Sequence, residues 1–285
     1  MTFWKPLLFL IVLCLGMTAN AQPNVIRVAV FEDQVTLIQA LAGPTMCREL
    51  EQIDVGENQM VFEYFLLCNL IKMSVPDAQF KLIGFPVVQR VVKALVDGYV
   101  DVSGFGVWFH ESSSEFLLHS KPLLKKGEFS KGLYTTSEIL TRYRQAGAPL
   151  LKSLIAVSNK NWTYDWQLLE CSDLNVIHVD KYSQMFNVVK LGRADVLPLA
   201  FGGGNDLTRT EFGIKLYPLP GVKLVIPDAS HYVFSKRSEY SLVVSTSLDA
   251  SLDKMRENET LQGWYLKIGV VNPAVNKWAT ICPDP

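Results

Sequence analysis

The chain has 285 residues, of which 49% are hydrophobic and 19% are charged. This length allows about two domains, and the composition excludes intrinsically disordered and collagen-like proteins. With 27 Lys and Arg against 28 Asp and Glu the formal net charge is −1, so the sequence lacks the basic footprint that nucleic-acid binding requires.

Residues 1–21 are typical of a signal peptide. Lys5 precedes an apolar run at 6–16, and Ala19 and Ala21 are the small residues expected before a cleavage site at Gln22. An uncleaved membrane anchor is the alternative, but the apolar run is shorter than the ~20 residues that span a bilayer. We therefore predict export to the periplasm and removal of the first 21 residues.

Export would place the remaining four cysteines in an oxidising compartment: Cys47, Cys68, Cys171 and Cys282. Four cysteines allow three pairings, and sequence alone does not select one. The early segment that Cys47 shares with Cys68 favours this pair, and isolated buried thiols are the alternative. No CxxC or HExxH motif occurs, so we predict neither a metal nor a cofactor.

Strand and helix patterns alternate along the first hundred residues after the signal. They predict strands at 25–31, 80–85 and 100–103 and helices at 60–73 and 87–96. Residues 35–58 begin as a helix but then contain Gly43-Pro44, and we interpret them as a variable insertion. Such alternation indicates βαβ units and a mainly parallel sheet.

One pattern of an apolar helix, a glycine, two residues, an aspartate and an apolar strand occurs twice. It contains Gly98 and Asp101, and nearly a hundred residues later Gly192 and Asp195. Glycine tolerates the positive φ that a helix end requires, and aspartate can satisfy free backbone donors in a tight turn. The recurrence predicts two related lobes.

Two extended segments that contain proline, at 121–136 and 216–228, are interpreted as crossings between the lobes. A strand at 231–235 and helices at 241–255 and 258–268 follow. A chain that crosses twice builds one lobe from both ends and the other from the middle. We therefore assign residues 22–122 and 228–285 to the first lobe and residues 123–227 to the second.

In their order and spacing these features resemble the periplasmic solute-binding proteins of ABC importers, particularly family 3, the amino-acid-binding type. The resemblance covers nearly the whole chain after the signal. It depends on the Val-Ile-Arg-Val-Ala-Val opening, the two glycine–aspartate elements, the C-terminal helices, and Ser120-Lys121-Pro122, which is similar to the Ser-x-Pro of the family.

The resemblance implies an α/β fold of the two-lobed periplasmic-binding-protein type II. Each lobe would be a mainly parallel sheet flanked by helices, two crossover strands would join the lobes, and a ligand would bind in the cleft between them. It also implies a membrane partner, either an importer permease or a sensor protein. We expect a monomer.

Two anchors with which the family holds an amino acid are missing. The arginine that grips the ligand carboxylate lies seven residues before the serine of Ser-x-Pro, where this chain has Ser113, and no Arg lies between Arg90 and Arg142. The aspartate that holds the ligand ammonium corresponds to Ala200. Because a hydroxyl cannot replace a bidentate guanidinium, we predict a ligand other than an ordinary amino acid.

Ligands of open α/β sheets bind beyond the carboxyl ends of the strands. The residues that follow the predicted strands therefore give four places with candidate ligand contacts: Glu32 and Asp33, Phe105 and Trp108, Asn159 and Trp162, and Phe201. The alternatives are structural: a solvated turn for the first pair, core packing for the second, helix capping and a buried ring for the third, and a flexible glycine-rich loop after Phe201.

We predict a non-enzymatic protein that closes two lobes around a small solute and then meets an importer permease or a membrane sensor. A dehydratase-like periplasmic enzyme on the same scaffold is one alternative. Its acid–base residues would come from Glu32, Asp33, His110 and Glu111, which form no recognisable constellation in the sequence. A relative whose cleft is vestigial is the other alternative.

Overall fold

The computed structural model describes residue 1 and residues 24–282. The signal-peptide prediction, with its cleavage site before Gln22, lies outside these residues. Within the described part of the chain, no helix is both long enough and apolar enough to cross a membrane.

Strands and helices are interspersed along the described chain, and six strands, β9 to β14, follow one another without a helix between them. The first stretch contains β1 (Val25–Phe31), α1 (Val35–Ala42), α2 (Gln59–Ser74), β2 (Gln79–Phe85), α3 (Val88–Val96), β3 (Val102–Ser103), β4 (Val107–Trp108), α4 (Phe109–Ser112) and β5 (Leu117–His119). The middle stretch contains β6 (Ser130–Thr135), α5 (Ser137–Ala146), α6 (Ala148–Leu151), β7 (Ile155–Ser158), α7 (Thr163–Cys171), β8 (Asn175–His178), α8 (Tyr182–Lys190), β9 (Val196–Ala200), β10 (Arg209–Glu211), β11 (Ile214–Pro218) and β12 (Val222–Val225). The last stretch contains β13 (Ser230–His231), β14 (Val233–Ser235), α9 (Ser241–Glu257), α10 (Thr260–Lys267) and β15 (Ala279–Thr280).

A five-stranded sheet in the order β2-β1-β3-β14-β5 is the centre of what we call the first lobe. β1 runs parallel to both β2 and β3, whereas β14 is antiparallel to both of its neighbours. Ile26, Val28 and Val30 pack in the core that contains α2, and Ala29 and Phe31 pack in the core that contains α3. Burial on both faces explains why β1 is a nearly continuous apolar run.

The second lobe is built on a mixed sheet in the order β10-β11-β6-β9-β7-β8, and β12 pairs with both β6 and β15. β7 is parallel to β8 and β9, and β6 is antiparallel to β9. In each sheet three parallel strands lie together at one side, β2-β1-β3 or β9-β7-β8, and antiparallel strands complete the other side. Both sheets are therefore mixed, where the sequence predicted mainly parallel sheets. The predicted α/β fold with two lobes is confirmed.

The two glycine–aspartate elements have the same geometry. Both glycines have a positive φ, 74° in the first lobe and 65° in the second. Asp101 accepts a hydrogen bond from the backbone N–H of Arg27 at 2.7 Å, and Asp195 accepts one from Ile155 at 2.8 Å. Each aspartate thus satisfies a donor of the neighbouring strand, β1 or β7, instead of a donor in its own turn.

The two crossing segments lie side by side between the lobes. Leu124 and Ser230 form an antiparallel bridge, and the N–H of Ile226 donates to the carbonyl of Phe129 at 2.9 Å. The proposed lobe boundaries, after residues 122 and 227, fall within these segments.

The described residues contain two disulfides. Cys47 pairs with Cys68 inside the first lobe, which confirms the favoured pairing, and Cys171 at the end of α7 pairs with Cys282. The chain returns to the second lobe after α10, where β15 pairs in parallel with β12. The sequence pattern predicts this end of the chain in the first lobe and gives no sign of the return.

Candidate functional site

Aromatic and acidic side chains meet where the two lobes contact each other beside the crossings. Trp108 of β4 lies edge-on against Tyr164 of α7, with the ring centroids 6.1 Å apart. Asp228, in the second crossing, accepts hydrogen bonds from the Tyr164 hydroxyl and from the backbone N–H of His110, both at 2.9 Å. This carboxylate therefore joins a helix of the second lobe to the beginning of α4 in the first.

Glu111 of α4 extends towards the first turn of α7, where the nearby Thr163 side chain favours the charged form of its carboxyl group and lowers its pKa. Burial and, to a smaller extent, the nearby Asp165 and Asp228 together raise the pKa of Glu111 to about 7. Both charged groups that shift this pKa are themselves carboxyl groups, so the interface between the lobes carries an excess of acid.

One ammonium group offsets part of this negative charge. Nζ of Lys131, on β6, lies 2.6 Å from Oδ2 of Asp165, whose side chain is only 4% exposed. The same Nζ lies 5.7 Å from the ring centroid of Phe129 and 5.8 Å from that of Trp162. A carboxylate and two aromatic rings thus surround a positively charged group, an arrangement that favours cations.

The lobes also touch at two other places. Nε2 of Gln89 in α3 donates to the carbonyl of Asn161 at 3.2 Å. On another part of the interface, Oε1 of Glu57 accepts from the backbone N–H of Gly203 at 2.7 Å, and Oε2 lies 3.4 Å from Nη1 of Arg209. Contacts at three places show that the lobes are in a closed arrangement.

Three of the predicted site residues lie at or beside this interface. Trp108 is half-buried in it, and Trp162 is half-buried beside it, against Lys131 and Tyr182 of the second lobe. Asn159 is buried and holds the loop before α7, because its Nδ2 donates to the carbonyl of Asp180 at 2.7 Å and its Oδ1 accepts from the N–H of Asn161 at 2.8 Å. Its observed contacts position Trp162 and are internal to the second lobe.

The other four predicted residues are not brought to the interface. Glu32 and Asp33 are exposed in a 3₁₀ turn that follows β1. Phe105 is 3% exposed and stacks on Phe31 with the ring centroids 4.4 Å apart. Phe201 is fully buried in the core of the second lobe. Glu32 and Asp33 thus follow their structural alternative, a solvated turn, and Phe105 follows its own, core packing. For Phe201 the alternative was a flexible loop, and its side chain is instead part of the core.

Four residues of this interface were not predicted from the sequence: Lys131, Tyr164, Asp165 and Asp228. The rule that ligands bind beyond strand ends points to loops, whereas these residues lie on a crossing strand, in the first turn of a helix, and in a crossing segment. The usable signal was an aspartate, Asp165, inside the otherwise apolar and aromatic start of α7. Within the described residues, no group of three or more His, Cys, Asp and Glu side chains is placed to hold a metal ion.

No protein-family model matches the sequence, and no curated protein matches it either. Solved structures do match the fold. One is the periplasmic VFT2 domain of BvgS from Bordetella pertussis, with a TM-score of 0.54 and 16% identity over 85% of this chain and 94% of that one. Another is an amino acid ABC transporter substrate-binding protein from Streptococcus pneumoniae bound to L-arginine, with a TM-score of 0.54 and 13% identity over 87% and 95%.

The probable amino-acid ABC transporter extracellular-binding protein YtmK from Bacillus subtilis is similar as well, with a TM-score of 0.55 and 15% identity over 87% of this chain and 99% of that one. At such identities the likeness establishes the fold alone. The chain therefore has the two-lobed fold of periplasmic solute-binding proteins, as the sequence resemblance implied.

Proposed function

We propose that this protein is an exported solute-binding protein whose two lobes close around a small solute. The observation that carries the proposal is the interface beside the crossings, where Trp108 and Glu111 of the first lobe meet Thr163 and Tyr164 of the second. A solute that contacts both lobes only when they are closed shifts the hinge equilibrium towards closure. After removal of the signal peptide, the closed form would be recognised in the periplasm by an importer permease or a sensor protein.

The proposed solute is an organic cation without an α-carboxylate. Three carboxyl groups, those of Glu111, Asp165 and Asp228, converge on the interface, and Lys131 supplies one ammonium group against them. A second cation would neutralise more of this charge, and the rings of Trp108 and Trp162 are suited to cover it. Ser113 provides no guanidinium for a carboxylate, which disfavours amino acids.

Thermal unfolding with added solutes tests both parts of the proposal. 1,4-Diaminobutane is the probe, 1,4-butanediol is the neutral control of equal length, and L-arginine is the amino-acid control. A bound solute stabilises the protein by about 2.7 kcal/mol when its concentration is a hundred times Kd. We expect stabilisation by the diamine alone, and at least about tenfold weaker binding in Glu111→Gln, from the lost charge.

Glu115→Gln is the matched control, because Glu115 is exposed on the same segment of the first lobe. Equal stabilisation by the diol, or stabilisation by L-arginine only, would contradict the organic-cation proposal and leave solute binding intact. If no amine, amino acid, sugar, peptide or organic acid stabilises the protein, the solute-binding proposal itself is wrong and the vestigial cleft is favoured.

An enzyme is the second candidate, because one group has a pKa suited to proton transfer near neutral pH. Of the four acid–base residues considered from the sequence, His110 and Glu111 lie at the interface, and the pKa of Glu111 is raised to about 7. Chemical conversion of a bound solute, followed by mass spectrometry and abolished in Glu111→Gln, would favour this candidate. Binding without conversion would favour a binding protein.

A further inference from the structure

The C-terminal segment passes from one lobe to the other between two consecutive residues. The backbone N–H groups of Val270 and Val271 donate to the carbonyl of Tyr265 in α10, at 2.9 and 3.2 Å, so both residues belong to the first lobe. The next residue, Asn272, donates from Nδ2 to the carbonyl of Gly202 in the second lobe at 2.8 Å. Because consecutive Cα atoms are about 3.8 Å apart, this link has no slack.

The backbone on the first-lobe side of this link packs directly on the second lobe. Gly269 has a φ of 73°, and a Cβ on it would lie 2.7 Å from the carbonyl carbon of Gly202 and 2.8 Å from the carbonyl oxygen of Phe201. Only two glycine-rich backbones can approach so closely. The glycine run after Phe201, for which the sequence suggested a flexible loop, is here a surface for close packing.

Beyond Asn272 the segment stays on the second lobe. Nζ of Lys223 donates to the carbonyl of Val275 at 2.9 Å, and the ring of Trp278 lies edge-on against Phe201 with centroids 5.4 Å apart. β15 then pairs with β12, and Cys282 is bonded to Cys171 of α7. We call residues 269–282 the C-terminal strap.

We propose that the C-terminal strap is a third connection between the lobes, made permanent by the Cys171–Cys282 disulfide, and that it restricts how far the lobes open without a ligand. The inference rests on the proposed opening and closing of the lobes. Two crossing segments that lie side by side act as a hinge. An attachment at another part of the interface, beside Gly202, removes some of the freedom of that hinge.

The Cys171–Cys282 disulfide determines whether the strap still restricts opening once the lobes begin to separate. Without it, one short strand pair, the Trp278 ring and a few hydrogen bonds hold the strap to the second lobe, and such contacts can separate when the lobes open. With it, the strap cannot leave α7. The closed contact between Glu57 and Gly203, which lies next to the strap, is then expected to open less than the contact between Gln89 and Asn161.

Distance distributions between the lobes, measured on the ligand-free protein, test the proposal. Lys93 in α3 and Arg142 in α5 are each replaced by a non-natural amino acid that bears a ketone, and a spin label is attached to each ketone. No cysteine is then needed for labelling. We expect Cys171→Ser combined with Cys282→Ser to add a population at longer distance. Cys47→Ser combined with Cys68→Ser, which removes the disulfide inside the first lobe, should leave the distribution of the wild type.

A second variant protects the test against misfolding. Four glycines inserted between Val271 and Asn272 keep the disulfide and add up to about 13 Å of chain. The same longer population is expected here. Unchanged distributions in both strap variants, or equal widening in the Cys47 and Cys68 control, would overturn the proposal. Because no solute is present, failure of the diamine to bind leaves this result interpretable.

Discussion

Glu111 is the residue at the interface on which burial and neighbouring negative charge act together. Its ordinary pKa of 4.5 is raised to about 7, first by burial and then by Asp165 and Asp228. A group whose pKa is higher in the folded protein contributes stability below its ordinary pKa, and this contribution is lost as the pH rises through the folded value. The folded, closed protein is therefore favoured by protonation of Glu111 and is destabilised at pH 8.

Glu111→Gln should make the protein more stable at pH 8 than the wild type and nearly equal to it at pH 4.5. The neutral amide keeps an acceptor for Thr163 and removes the buried charge, so we expect a gain of about 1–3 kcal/mol at the higher pH. Urea unfolding at both pH values measures it, with Glu115→Gln as the exposed control. A gain of the same size at both pH values would show that the charge of Glu111 is not its cause.

At the scale of single elements, strong periodicity and clear boundaries decided what could be predicted. β1 was predicted at its observed bounds, and α2 within one residue at each end, because long apolar patterns end at breakers such as the Val75-Pro76 pair. β4, β13 and β15 have two residues each, too few to show any period. They depend on tertiary pairing, which a local pattern does not contain.

The candidate site also contains residues that the sequence could predict and residues that it could not. Trp108 and Trp162 could be predicted because they follow strands, but the contact of Trp108 with Tyr164 of the opposite lobe could not. Lys131 and Asp165 lie 34 residues apart and pair only after β6 and α7 have packed. Their pairing is set by the packing of the second lobe, and no spacing in the sequence reports it.

Gly269 tests whether the strap needs direct backbone contact. Gly269→Ala should destabilise the protein by about 3 kcal/mol or more, since the new Cβ is forced into the backbone of residues 201–203. Gly213→Ala is the matched control: its φ is 72°, nothing lies within 4 Å of a Cβ there, and only the conformational cost of about 1 kcal/mol is expected. Chemical unfolding compares the two. Equal losses of stability in the two variants would mean that the strap moves away from residues 201–203 without a free-energy penalty.

For the whole molecule, one arginine of the first lobe holds the crossing through which the lobes are joined. Arg256 of α9 donates from Nη2 to the carbonyls of Pro122 at 2.9 Å and Leu123 at 2.8 Å, and its Nη1 lies 3.4 Å from Oε1 of Glu128. A single guanidinium thus fixes the beginning of the first crossing to α9. We therefore expect the lobes to move about positions that follow Leu123 in the first crossing.

Arg256→Met should loosen the first crossing while preserving the apolar stem of the side chain. Charged hydrogen bonds contribute about 1.5–3 kcal/mol each, so amides of residues 123–129 should exchange with solvent at least about tenfold faster. Hydrogen exchange followed by mass spectrometry measures this, and Lys254→Met on the same helix is the exposed control. Unchanged exchange at 123–129 would show that the crossing is held by its own backbone pairing.

The two disulfides connect cysteines that are neighbours in chain order, Cys47 with Cys68 and Cys171 with Cys282. A chain that emerges amino end first therefore offers each cysteine its native partner next, provided that Cys14 departs with the signal. An oxidant that simply joins thiols in the order of their arrival would produce the native bonds. Biogenesis of this protein should then require thiol oxidation but no disulfide isomerase.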